Sequence, residues 1–174
     1  MTADASAPIS DAADRAPLEA DGTVALRRLE AELLAMPQVA ALKLRVDGYD
    51  GDALRLSAPL SANVNDKGCA FGGSLVSLMT LAGWGLVTAK LSDAGIDAEV
   101  YVADSEVRYR APLYADLQAA AALAEGEDWP AFVAMLRERG KARLEVFARI
   151  DTPDGAAACE CRSRFVAKRR TATE

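Results

Sequence analysis

The chain has 174 residues, 51% of them hydrophobic, which is enough to bury one core and too few for two full domains. Its 20 basic against 26 acidic residues, a formal charge of −6, argue against nucleic acid or an anionic membrane as the main partner. It contains no histidine, which excludes a Ser-His or Cys-His dyad and a His-ligated metal within one chain and leaves acid–base chemistry to carboxylates.

Residues 1–20 are Ala, Asp, Pro and Ser with little periodicity and read as a disordered tail, leaving 21–174 as a single domain. The start also lacks the basic and apolar regions of a signal peptide, and the cysteines, Cys69, Cys159 and Cys161, are odd in number. A reducing cytoplasm is the expected setting. Val24, Leu26, Leu29, Leu33 and Met36 have helical spacing that Pro37 should end. Next, Leu42, Leu44 and Val46 alternate with Lys43 and Arg45, the chain turns at Asp50-Gly51-Asp52, and Leu54 and Leu56 alternate again, which predicts a β-hairpin.

The segment "GGSLVSLMTLAGWGLVTAKL" carries no charge before Lys90 and is apolar on nearly every face. It is long enough for a membrane span, yet alternating strands flank it and need something to pack on, so a buried helix is expected. Gly83 and Gly85 weaken such a helix by roughly 1 kcal/mol each unless they allow close packing. "AEVYVADSEVRYRAPL" predicts a long strand stopped by Pro112, with Tyr101, Ala103, Ser105, Val107 and Tyr109 on one face. "DLQAAAALAEG" is Ala-rich but lies between strands and is read as a strand. Asp128 as N-cap, Pro130 in the first turn and Gly140 as a stop bracket a short helix. Two more alternating strands surround "TPDG" near the C-terminus. One long apolar helix and about six strands make an α+β domain whose antiparallel sheet curls round the helix.

The stretch "NDKGCAFGG" resembles the motif of hotdog-fold thioesterases similar to phenylacetyl-CoA thioesterase, in which Asn is followed three positions later by Gly and then by His-Gly-Gly. Asn65, Gly68, Gly72 and Gly73 match, and Phe71 stands where those enzymes have histidine. The chain more closely resembles the thioesterase-like family typified by the C-terminal domain of YiiD, through Asn63, Asn65, Lys67, Gly68, Phe71, Gly72, Gly73, Ser74, Leu75, "LAGWGLV" and "VADSEVRYRAP". Cys69 departs from the Thr usual there. The resemblance runs from Leu42 to Val166 and implies a hotdog fold, sites at the interface of a homodimer or dimer of dimers, an acyl-CoA or acyl-carrier-protein thioester as substrate, and no cofactor or metal.

Thioester hydrolysis needs donors aimed at an oxyanion and a water made nucleophilic. A helix beginning at Gly72-Gly73 offers free amides without a Cβ in the way, so the Gly73 N–H, with that of Ser74, is the expected oxyanion donor. Two carboxylates compete as base: Asp66, in the loop ahead of the helix, and Asp104, on a strand where partial burial would raise its pKa. Asp66 could equally be a solvated turn residue paired with Lys67. Asn63 and Asn65 either orient water or the acyl carbonyl, or fix the turn. Ser77 and Thr80 share a helical face with Gly73 and Trp84 and are read as pocket lining; Thr80 aligns with the acidic position of the phenylacetyl-CoA type enzymes, where a hydroxyl cannot act as base. Arg108 and Arg110 could meet the phosphates of coenzyme A or an acidic carrier, or form an ordinary charged face. A non-catalytic module that binds acyl thioesters is the competing reading, because the usual histidine is missing.

Overall fold

The computed structural model describes residues 20–170, with side chains from residue 25 onward. The expected tail lies outside the described residues except for Ala20, which opens α1 (Ala20–Leu34). Leu29 and Leu33 of α1 enter the core, as their spacing requires. Pro37 does more than end that helix: it starts a second, α2 (Pro37–Leu42), because proline at a first turn has no N–H to satisfy. Lys43 closes α2 in the left-handed region with φ 53°. The predicted hairpin therefore begins at Arg45 rather than Leu42, as β1 (Arg45–Tyr49) and β2 (Ala53–Ala58). Its turn is held by the Asp50 carboxylate, which accepts the Asp52 and Ala53 amides at 3.1 and 2.9 Å.

A single turn, α3 (Leu60–Asn63), precedes the long helix α4 (Gly72–Asp93). There follow β3 (Ala98–Tyr109), β4 (Leu117–Leu123), α5 (Trp129–Arg139), β5 (Lys141–Asp151) and β6 (Ala157–Arg169). The strands form one antiparallel sheet in the order β1-β2-β4-β5-β6-β3. α4 packs against β2, β3, β4, β5 and β6 and buries Leu75, Leu78, Met79, Ala82, Leu86, Val87 and Leu91. Among the described residues α4 is long and apolar enough to cross a membrane, but it is enclosed as the core helix of this sheet, which is the hotdog arrangement.

Among the described residues strand β3 is an edge, bonded only to β6, and a register shift between Val102 and Asp104 interrupts it. The strict two-residue alternation predicted for it is corrected by that extra residue. Val100 and Val102 share the inner face with Ser105, Val107 and Tyr109, across from the buried Ala167, Phe165, Ser163, Cys161 and Cys159. Tyr101, Asp104, Glu106 and Arg108 pair with the outer residues of β6.

Candidate active site

The loop from Asn63 to Phe71 delivers the chain to the start of α4. Asn63 is 2% exposed; its Nδ2 donates to Leu42 O at 3.0 Å and Pro59 O at 2.8 Å, and its backbone carbonyl accepts the Phe71 N–H at 2.7 Å. Of the two readings of Asn63 this geometry matches the one in which it fixes the chain: it pins three segments together, and its Oδ1 is buried without a partner among the described residues. Asn65 closes the next turn. Its N–H donates to Cys69 O at 2.8 Å, its Oδ1 accepts the Lys67 amide at 2.8 Å, and its Nδ2 meets Cys69 Sγ at 3.2 Å. Gly68, at φ 78°, supplies the left-handed residue this turn demands. Asn65 thus fixes the backbone that carries Asp66. The Ala70 N–H, donating to Leu113 O at 2.8 Å, ties the loop to the chain beyond β3.

Phe71 is the N-cap residue, extended at φ −68° and ψ 128°, and its side chain does not cap the helix. The first helical bond of α4 runs from the Leu75 N–H to Phe71 O at 3.1 Å. The amides of Gly72, Gly73 and Ser74 come before it and donate to nothing among the described residues. Two exposed aromatic rings flank this tip. A Cβ at position 73 would lie 2.4 Å from Phe71 Cε1, and one at position 72 would lie 3.1 Å from Tyr109 Cε1. Phe71 and Tyr109 are 56% and 60% exposed, and the half-exposed Val64 and exposed Tyr114 sit on the adjoining segments. The Ser74 side chain turns inward and is buried, so only its amide can serve. Ser77 is exposed and Thr80 half-buried on the helical stripe that joins Gly73 to Trp84, whose Nε1 donates to Val100 O of β3 at 3.1 Å.

The two candidate carboxylates are placed differently. Asp66 stands in the loop that leads into α4, exposed, with Lys67 Nζ at 2.8 Å. Asp104 is on the outer face of β3, turned away from α4, and its side chain is 59% exposed with Arg164 at 3.4 Å. The expected partial burial of Asp104 is therefore corrected; the bulge beside it sends it outward. Arg108 pairs with Glu106 and Arg110 with Glu160, each at 2.9 Å, so both fit the charged-face reading made for them.

Tyr109 was not among the residues that sequence reasoning brought to the site. Its hydroxyl donates to Gly72 O at 3.3 Å, and the only signal for it was its place at the inner end of a long alternating strand. Burial, then the neighbouring Cys159 and Cys161, raise its phenol above the usual range. Burial, then Cys161, also push the Cys159 thiol up to about 11, so it stays protonated and packs as an apolar group. Cys69 is buried under the Asn65 amide.

Residues 27–169 match the family described as Putative thioesterase (yiiD_Cterm). The chain belongs to that family. Its fold is similar to that of a protein of unknown function from Chlorobaculum tepidum TLS, 27% identical, with a TM-score of 0.80 over 86% of this chain and 97% of that one. A Shewanella oneidensis protein titled a putative thioesterase is 24% identical, with a TM-score of 0.74 over 84% and 99% of the two chains. A Pseudomonas aeruginosa protein titled a probable thioesterase is 23% identical, with a TM-score of 0.72 over 88% and 98%. These yiiD_Cterm-family and thioesterase likenesses place the uncapped tip of α4 within a hotdog scaffold shared with thioesterases.

Proposed function

We propose that this chain hydrolyses the thioester of an acyl-CoA or an acyl carrier protein at the N-terminal tip of α4. The observation that carries this reading is the set of unpartnered amides at Gly72, Gly73 and Ser74, at a helix tip flanked by two exposed aromatic rings in a chain of the yiiD_Cterm family. The acyl carbonyl oxygen accepts from the Gly73 amide, with Ser74 beside it, and the positive end of α4 favours the negative charge that develops there. Water attacks the carbonyl carbon and gives its proton to a carboxylate; the C–S bond then breaks and the thiolate recovers the proton, leaving acid and free thiol. Asp66 is the base in this scheme, because it shares the loop that ends at the tip while Asp104 lies on the far face of the sheet. Phe71, Ser77 and Thr80 line the path of the acyl group.

Two copies pair through β3, which puts each tip beside the partner chain. The exposed edge of β3, with Tyr101, Val102 and Tyr109 uncovered, supports this. The three free, buried cysteines support a reducing, cytoplasmic setting.

The test is release of free thiol from a series of acyl-CoAs and acyl carrier proteins of graded chain length. Turnover of some members is expected, lowered about a hundredfold or more by Asp66→Asn and hardly changed by Asp104→Asn. A pure protein that hydrolyses no member would refute the reading. The Asp66–Lys67 ion pair and the lack of histidine favour one alternative, a binding module that is stabilised thermally by acyl-CoA without turning it over.

A further inference from the structure

The Gly72 carbonyl and the Gly73 N–H belong to one planar peptide unit, so whatever grips the first acts on the second. Tyr109 grips it. Its hydroxyl donates to Gly72 O at 3.3 Å while its ring lies against the Gly72 Cα, at the one place where a Cβ would come within 3.1 Å of Cε1. The carbonyl has two lone pairs, one in the direction of the Val76 amide in the helical pattern and one for the phenol. We propose that Tyr109 is a positioning residue for the oxyanion donor: by hydrogen-bonding the Gly72 carbonyl it orients and polarises the peptide whose N–H is that of Gly73. This rests on the thioesterase reading above and extends it to a residue on another element.

Three observations fix Tyr109 for this task. It is paired with Cys159 at the end of the β3–β6 ladder, so its backbone cannot drift from α4. The next two amides, of Arg110 and Ala111, both donate to Ala158 O, at 2.8 and 3.2 Å, and carry the hold of β6 past the end of the strand. Cys159 and Cys161 are buried on the strand beside it, and the raised phenol remains a donor at the pH of any ordinary assay. At 3.3 Å the bond is longer than the roughly 2.8 Å usual for O–H···O, which leaves it room to shorten as negative charge builds on the substrate oxygen. A donor whose own carbonyl is hydrogen-bonded is a stronger donor, because the two bonds polarise each other.

The test is Tyr109→Phe, which keeps the ring and removes the hydroxyl, read in two ways. In kinetics, kcat falls about tenfold while KM changes less than twofold, since the bond matters most in the transition state. In ¹⁵N-labelled protein, the Gly73 amide nitrogen moves upfield while a remote amide such as Gly140 stays in place. A loss confined to KM, or an unmoved Gly73 resonance, overturns the proposal. If the wild-type protein hydrolyses nothing, the thioesterase reading fails and the catalytic use of Tyr109 falls with it. The Gly73 resonance still decides whether the hydroxyl polarises that peptide.

Discussion

Gly83 and Gly73 lie on the same helix and are needed for opposite reasons. A Cβ at position 83 would sit 2.8 and 2.9 Å from Cε2 and Cζ of Phe165, a ring that is 1% exposed and has nowhere to go. Gly83→Ala gains about 1 kcal/mol of helix propensity but forces the core apart, which typically costs 1–3 kcal/mol, so the variant is expected to unfold at lower denaturant than wild type. At position 73 the obstructing ring is Phe71, more than half exposed and free to swing outward. Gly73→Ala should therefore keep the wild-type unfolding midpoint and lose turnover, as the new methyl stands where the acyl carbonyl must come. The sequence made both glycines conspicuous, but not which neighbour needs each: Phe165 is contributed by the last strand, and only the closed sheet brings it under α4. Asp104 was misjudged for a similar reason, since the extra residue in β3 that turns it outward has no signature in an unbroken alternation.

Among the elements, α5 was the most legible. Asp128, Pro130 and Gly140 occupy the N-cap, first turn and C-cap that their chemistry favours: Asp128 Oδ1 accepts the Ala131 amide at 2.8 Å, and Gly140 ends the helix at φ 69°. Asp128→Ala is expected to cost about 1 kcal/mol in chemical denaturation and to leave kcat unchanged, because α5 packs on β5 and β6 and is remote in sequence from the tip loop. The short elements were not legible. α2 and α3 hold 6 and 4 residues, too few to show a period, and Pro37 carries the same signal whether it stops one helix or starts another. That matters for the site, because Asn63 at the end of α3 uses its side chain on Leu42 and Pro59 to set the entry of Phe71 into α4. A residue quoted for its place in a motif proved to act through buried hydrogen bonds between elements that periodicity could not resolve.

At the scale of the molecule, the helix-in-sheet core followed from one uncharged segment among alternating strands, whereas an interface between copies leaves no periodicity to read. β3 is 12 residues long, satisfied on one side only among the described residues, and more exposed than any other strand. Monomeric proteins usually blunt such an edge with proline, inward charges or a short strand. β3 is long and has neither a proline nor an inward charge; a bulge between Val102 and Asp104 is its one such device, and beside it the strand presents Tyr101 and Val102. An antiparallel meeting of two β3 edges about a twofold axis would also set the Glu99 end of one strand against the Arg108 and Arg110 end of the other. Light scattering is therefore expected to give about 37 kDa, twice the 18.4 kDa chain. Tyr101→Lys, which places a charge on the outer face of that edge, away from α4, should shift the mass towards one chain and lower specific activity in parallel, with activity recovering at high protein concentration. A wild-type protein that stays at one chain mass at concentrations where it is fully active would show that the edge is left open and that each tip works alone.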